Sequence, residues 1–244
     1  MTSTPLTDAI TVEDLFKKLS FGPLSNLSMS NEGDGTIKED SQGKIINYLN
    51  DGLLRLYSRY NLRERELMLR MMNGYTTYHL LQRFAESRCE TDPPSTDPIF
   101  IMDALDPFQQ DVIKVLVVRS MNGQDIPIND EEDPRSVFTP KHNIIQIPRP
   151  TGGHVLSVIY QAKHKKIEYG VLSATIYLPE VLHEALVSFI AGQVFSHMNS
   201  AESTAKGTEH LRKFEALCAD VVEQDLVSTA ISTSNTLFKK RGWV

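Results

Sequence analysis

The sequence predicts an α+β fold: a helical bundle made from N- and C-terminal helices, an inserted β-rich region, and an extended C-terminal arm. Three observations predict it. Apolar residues near both ends recur every three or four positions, the spacing of one helical face. The middle alternates short β-branched runs with Asn-Gly turns, the grammar of strands. Residues 226–244 show neither period and are rich in Ser and Thr. The expected divisions are 1–60 (helical), 61–178 (β-rich), 179–225 (a helical hairpin completing the bundle) and 226–244 (the arm).

Thr11 stands three residues before Asp14 and just ahead of Leu15, Phe16 and Leu19, close to a capping box, so a first helix is expected over 12–19. Residues 20–42 are rich in Gly, Ser, Asn and Asp and read as a long surface loop. From 44 to 60, Ile45, Ile46, Leu49, Leu53, Leu56, Tyr57 and Tyr60 mark one face of a second helix. The grammar then changes. Residues 67–72 and 75–80 flank Asn73-Gly74 and read as a hairpin; 112–120 and 126–128 flank Asn122-Gly123 and read as another. Further strands are expected over 136–138, 144–147 and 155–161.

Leu178-Pro179-Glu180 reopens helical grammar, because proline costs nothing in the first turn and Glu complements the positive helix end. A helix is expected over 181–198, apolar on more than one stripe and packed on several neighbours. Asn199-Ser200 serves as a turn and cap. Leu211, Phe214, Leu217, Cys218, Val221 and Val222 then mark a fourth helix ending near Asp225. In the arm, the apolar anchors Ile231, Leu237, Phe238 and Trp243 return less free energy than ordering its backbone costs. The arm is therefore expected to order only on a partner, by strand addition for example. The alternative is an arm docked on its own domain.

Composition narrows the function. A formal net charge of -6 disfavours a protein that gains affinity by neutralising phosphates, and the basic clusters at 163–166 and 239–241 are too short to reverse that. Mainly apolar runs such as 112–118 and 187–194 fall short of a membrane span, and the first residues carry no signal-peptide pattern, so a protein that stays in the cytoplasm where it is made is expected. Cys89 and Cys218 stand far apart without a C-x-x-C partner, so neither a disulfide framework nor a zinc site is suggested and they read as buried or incidental thiols.

Signatures of chemistry fail one by one. His183-Glu184 begins a zinc-protease pattern, but Val187 occupies the second ligand position. The seven histidines (79, 142, 154, 164, 183, 197 and 210) form no pair at ligand spacing, and those on helices read as surface or interface residues. Gly152-Gly153 lacks the surrounding phosphate-loop pattern and reads as a β-turn. The acidic stretch 129–133 lacks the Gly and distal Glu of a calcium loop. Neither a nucleophile elbow nor a Cys-protease string occurs. A non-enzymatic protein without cofactor or metal is expected.

Several strings are familiar together: 15–30 (LFKKLSFGPLSNLSMS), 57–62 (YSRYNL), 129–140 (NDEEDPRSVFTP), 160–165 (YQAKHK), 177–198 (YLPEVLHEAL to FSHM) and 225–244 with its STSNTLF and RGW ending. Across nearly the whole chain they resemble the head-to-tail adaptor, or connector, proteins of tailed bacteriophages. The resemblance implies a structural protein of the virion neck, a homo-oligomeric ring of twelve copies between the portal protein and a tail tube or nozzle protein. Genomic DNA would pass through its channel during ejection without specific binding, and no membrane is involved. It further implies that the arm engages the portal, with Ile231, Leu237, Phe238, Lys239, Lys240, Arg241 and Trp243 as its contact residues. The competing reading is a virion-associated or tail-component protein with hydrolytic or DNA-binding accessory activity.

Overall fold

The computed structural model describes residues 9–31, 33–88, 97–104, 106–198 and 200–227. These form four α-helices and ten strands, a mixed helix-and-sheet protein. The chain divides into two compact units; the described part of one comprises residues 9–62 and 164–227, and that of the other 63–163.

The helical unit begins with β1 (Ala9–Thr11) and α1 (Val12–Phe21). Thr11 Oγ1 accepts from Asp14 N at 3.1 Å and donates to Asp14 Oδ2 at 2.6 Å, so the cap forms where expected, with the acid gripping the hydroxyl. In α2 (Glu39–Arg59) the apolar face is the one read from the sequence, but the helix starts five residues earlier, where Glu39 and Asp40 complement its positive end. The preceding loop is not all surface. Leu24 and Ile37 are fully buried, and Ser30 donates to Leu24 O at 2.6 Å, because lone apolar residues in a polar stretch anchor it inward.

A 3-10 turn at Glu180–Leu182 leads into α3 (His183–Ser196), which is apolar all round and packs on α1, α2 and α4 (Ala201–Glu223). Ser200 caps α4 by accepting from Ser203 N at 3.0 Å. Gly192 and Gly207 let α3 and α4 approach closely: a Cβ on Gly207 would come 2.8 Å from the backbone N of Ser196. Gly52 similarly leaves room on α2 for Leu186 and Phe189 of α3.

The β-rich unit contains β2 (Glu64–Arg70), β3 (Thr77–His79), β4 (Ile101–Met102), β5 (Val112–Ser120), β6 (Asp125–Ile126), β7 (Phe138–Lys141), β8 (Ile144–Gln146) and β9 (Val155–Ala162). Five strands pair in the order β4-β2-β9-β5-β6 and three in the order β3-β8-β7, all antiparallel. Outside these ladders, isolated parallel bridges pair Ala85 with Ile101 of β4, and Ile128, just after β6, with Val137, just before β7. Tyr78, Phe84 and Phe100 stack or meet edge-on at centroid distances of 4.8–5.1 Å in the core of the unit.

The first expected hairpin is corrected. The turn at Asn73-Gly74 forms, with Gly74 at φ +73°, but β2 pairs with β9 from Glu64↔Gln161 to Arg70↔Val155, and β3 pairs with β8. Asn73 Oδ1 accepts from Gly152 N at 2.9 Å, and Tyr78 Oη accepts from Met72 N at 2.9 Å, so the turn hands the chain from one sheet to the other. A tight turn fixes the reversal of a chain; the long alternating strand β9 decides which neighbour it pairs with. The second hairpin forms as read, with Val118↔Ile126 and Arg119↔Asp125, and stops there because Pro127 has no N–H to continue the ladder. The strand expected at 136–138 lies at Phe138–Lys141, and those expected at 144–147 and 155–161 are present as β8 and β9.

Candidate interaction site

The arm residues Ile231, Leu237, Phe238, Lys239, Lys240, Arg241 and Trp243 lie outside the described residues, as does Cys89.

Residues singled out for chemistry have structural partners. His183 is buried rather than at the surface, with Nε2 3.0 Å from Leu178 O, because α3 packs on several neighbours and its first turn folds back against the Leu178 backbone. His197 stacks on Tyr48 at 5.5 Å and His210 on Phe195 at 5.6 Å. Among the described residues no three His, Cys, Asp or Glu side chains gather as a metal site. Cys218 is a buried free thiol whose pKa is pushed up by burial, the opposite of an activated nucleophile. Gly152-Gly153 is a turn, with Gly153 N donating to Met71 O at 2.9 Å.

The acidic stretch 129–133 is a closed turn. Asn129, at φ +57°, donates through Nδ2 to Thr139 Oγ1 at 2.9 Å and accepts from Thr139 N at 2.8 Å. Asp130 and Asp133 each accept a backbone N–H two residues on, at 3.0 and 2.8 Å. These carboxylates shape the turn.

An ionic cluster sits in the β-rich unit, buried at Arg65, Asp111 and Tyr160 and open to solvent at Asp106. Arg65 contacts Asp106 at 2.7 Å and Asp111 at 3.2 Å, and Tyr160 donates to Asp111 at 3.0 Å. Burial opposes the Arg65 charge, yet the bonds to Asp106 and Asp111 outweigh it and raise its pKa; burial and the Asp111 charge raise that of Tyr160. Clusters of this kind can mark active sites, but here every member is matched, which is what a sheet end needs when it buries charge.

An exposed apolar surface lies on the helical unit. Residues 164–174 lead into β10 (Thr175–Tyr177), forming a strap laid along α2. Asn50 holds it: Nδ2 donates to Ile167 O at 3.0 Å and Oδ1 accepts from Ile167 N at 2.9 Å. Beyond Ile167 the ring of Tyr169 lies beside Gly43, and Gly170 turns the chain at φ +83°. The returning limb accepts Glu13 N at Leu172 O and Val12 N at Ala174 O, both at 3.1 Å, satisfying the free N–H groups of α1. It then pairs with β1 through Ile10↔Ile176. At the base Tyr57 donates to Tyr177 O. Tyr177 N donates to His164 Nε2 at 3.2 Å, so the His164 proton resides on Nδ1, which donates to Lys165 O at 2.5 Å.

Fixed in this way, the strap exposes Tyr169 (57%), Val171 (43%) and Tyr177 (55%) beside Lys165 and Lys166. Exposed aromatic and apolar side chains on a rigid support, rimmed by charge, have the make-up of an interface rather than of a catalytic cleft. The lysine cluster at 163–166, read from the sequence only as too short for a nucleic-acid site, lies on this surface. The missed signal was Asn50, a polar residue between the apolar positions Leu49 and Leu53 of α2.

Among the described residues no helix is long and apolar enough to cross a membrane. No curated protein matches the sequence. The model of the SU10 adaptor protein family matches residues 25–235, most of the chain and part of both compact units. With a match of that extent the chain belongs to the SU10 adaptor protein family, a family of phage head-to-tail adaptors and hence of structural virion components.

Proposed function

We propose that this adaptor assembles as a ring between the portal of the capsid and the tail tube or nozzle protein and continues the DNA channel through the neck. The family match across 25–235 carries the reading. The resemblance of the chain to neck connectors supplies the expected number of copies, twelve. In this arrangement α1 to α4 act as a bundle that gives each subunit a rigid body, and the β-rich unit meets tail components. The subunit is made in the host cytoplasm and resides in the virion neck. The net charge of -6 suits a conduit, since like charge leaves DNA without strongly bound states.

In the same reading residues 226–244 form the portal-binding arm, with Ile231, Leu237, Phe238 and Trp243 as apolar anchors and Lys239, Lys240 and Arg241 as charged contacts. Aromatic and Arg side chains are typical anchors, and contacts repeated round a ring gain from effective concentration. The test is a chain ending at Asp225, mixed with the portal ring of the same phage. It is expected to retain the wild-type circular dichroism and thermal midpoint and to lose portal binding. Retained binding would refute the role of the arm.

A further inference from the structure

Four apolar side chains stand exposed at one end of the helical unit. Tyr57 and Tyr60, one turn apart at the end of α2, donate to Tyr177 O and, at 2.7 Å, to Cys218 O, so the end of β10 and the C-terminal part of α4 lie side by side. The Glu180–Leu182 turn, which follows β10, also packs on α4. Exposed Tyr177 is therefore joined at this end by Val181 (43% exposed), Val222 (54%) and Leu226 (51%). Their rim is acidic, with Glu180, Asp220, Glu223 and Asp225 all exposed. The ion pairs of α4 lie upstream, at Glu202, Lys213 and Glu215. Among the described residues the four acids of the rim have no ion-pair partner, not even in Lys165 and Lys166 of the strap.

The chain leaves α4 through this surface. Leu226 N donates to Val221 O at 3.1 Å and Asp225 N to Val222 O at 3.2 Å, with Asp225 at φ +50°. This left-handed helix end, where Gly is usual, turns the chain off the helix axis with Leu226 already in the patch. Residues 227–236, rich in Ser and Thr, then lead to Leu237, Phe238, Lys239, Lys240, Arg241 and Trp243. That segment repeats the make-up of the patch with the opposite charge. It sets apolar side chains around three cations, where the patch sets apolar side chains within a rim of four acids.

Its reach also fits. A Ser-rich linker of about eleven residues spans roughly 17–20 Å on average, while neighbouring helix axes are only about 8–10 Å apart. Within one chain the segment meets the patch at an effective concentration on the order of 1 mM, so even a weak contact is populated. Only about seven residues need to be ordered, which cuts the backbone cost that weighs against ordering the whole arm.

We propose that in the free subunit residues 237–243 fold back on the acidic, apolar end of their own helical unit. Phe238 and Trp243 cover the apolar side chains, and Lys239, Lys240 and Arg241 meet the acids and the negative end of α4. In the reading above, on which this second step rests, the same residues contact the portal. Patch and portal then compete for one segment, which stays shielded until the portal displaces it.

Trp243 is the only tryptophan of the chain, so its fluorescence reads the contact directly in the free, full-length protein. Docked, it emits to the blue of the same chain unfolded in urea and is quenched several-fold less by acrylamide. Asp220→Lys with Glu223→Lys is expected to raise quenching several-fold, towards the unfolded value. Adding Lys239→Glu with Arg241→Glu should restore the protection. Lysines suit a helix C-terminus, and circular dichroism checks the fold. A wild type whose Trp243 is as open as in urea overturns the contact. So does a folded double variant in which it stays shielded, or a fourfold variant no better shielded than the double. Shielding that grows with protein concentration also overturns it, by placing the segment on another copy. The portal ring of the same phage gives the second step its own readout: the Asp220→Lys, Glu223→Lys variant should bind it several-fold more tightly than the wild type, because the competing site is gone. Equal affinity overturns the competition. A wild type that is shielded yet never binds an intact portal ring overturns the portal reading and leaves the fold-back contact standing.

Discussion

The side-chain amide of Asn50 grips the backbone of Ile167 on both sides, donating to its carbonyl at 3.0 Å and accepting from its N–H at 2.9 Å. The two residues are 117 positions apart, and their bonds fix the strap that carries Tyr169 and Tyr177. Asn50→Ala removes both partners of Ile167, which is itself buried. At about 1 kcal/mol per bond, with a further penalty for buried unpaired groups, the variant should lose roughly 2–3 kcal/mol. Urea denaturation measures the loss, and amide exchange at Ile167 should quicken; an unchanged midpoint would mean that the strap is held by its other contacts alone.

The α3–α4 crossing should tolerate no side chain at Gly207. Alanine normally favours a helix over glycine by about 1 kcal/mol, yet its Cβ would sit 2.8 Å from the Ser196 backbone N and 3.1 Å from Gly192 O. Gly207→Ala is expected to cost about 1–3 kcal/mol. Gly192→Ala should cost less, because the atoms within 3.0 Å there belong to the flexible Leu211 side chain. Thermal midpoints of both variants give the order.

Tyr60 donates to Cys218 O at 2.7 Å and is 1% exposed. Burial, then the hydrogen bond to Cys218, pushes its pKa up to about 12. The phenol is thus neutral in the folded state beyond the pH at which it ionises unfolded. The stability it adds is complete below about pH 10 and is lost as pH rises towards 12. Tyr60→Phe should cost about 1 kcal/mol at neutral pH by removing that hydrogen bond, while the Cys218 carbonyl keeps its place in the α4 ladder. It should also flatten the fall in stability between pH 10 and 12, measured by chemical denaturation across that range.

The opposite sign holds for His210. Burial against Phe195 lowers its pKa from 6.5, with Glu209 acting the other way. Its neutral form is the one the fold prefers. The stabilisation is present above pH 6.5 and is lost as pH falls through the lowered value. His210→Phe should leave the thermal midpoint less sensitive to acidification from pH 7.5 to 5 than it is in the wild type; equal sensitivity would place the acid response elsewhere.

What the sequence showed and what it hid follow from the range of each interaction. The apolar face of α2, that of α4 apart from Val222, which is exposed, and the caps at Thr11 and Ser200 lie within a few residues and were legible. Asn73-Gly74 announced a turn but not its partner strand, because the competition is settled by β9, some 80 residues on. Tyr160 and Asp111 are 49 positions apart and Asn50 and Ile167 are 117, so neither cluster leaves a local pattern. His183 looked like a surface residue because α3 places a polar side chain where it can reach Leu178 O, a geometry invisible before the turn at Glu180–Leu182 is known. The strap was legible only as charge. Its fixed surface depends on Asn50 of α2 bonding Ile167, a long-range contact.

The most direct test of the adaptor reading is the mass, by native mass spectrometry or light scattering, of the intact protein alone and after mixing with the portal ring of the same phage. Saturable addition of one full symmetric set of subunits is the predicted result. No binding to an intact portal ring would contradict the account.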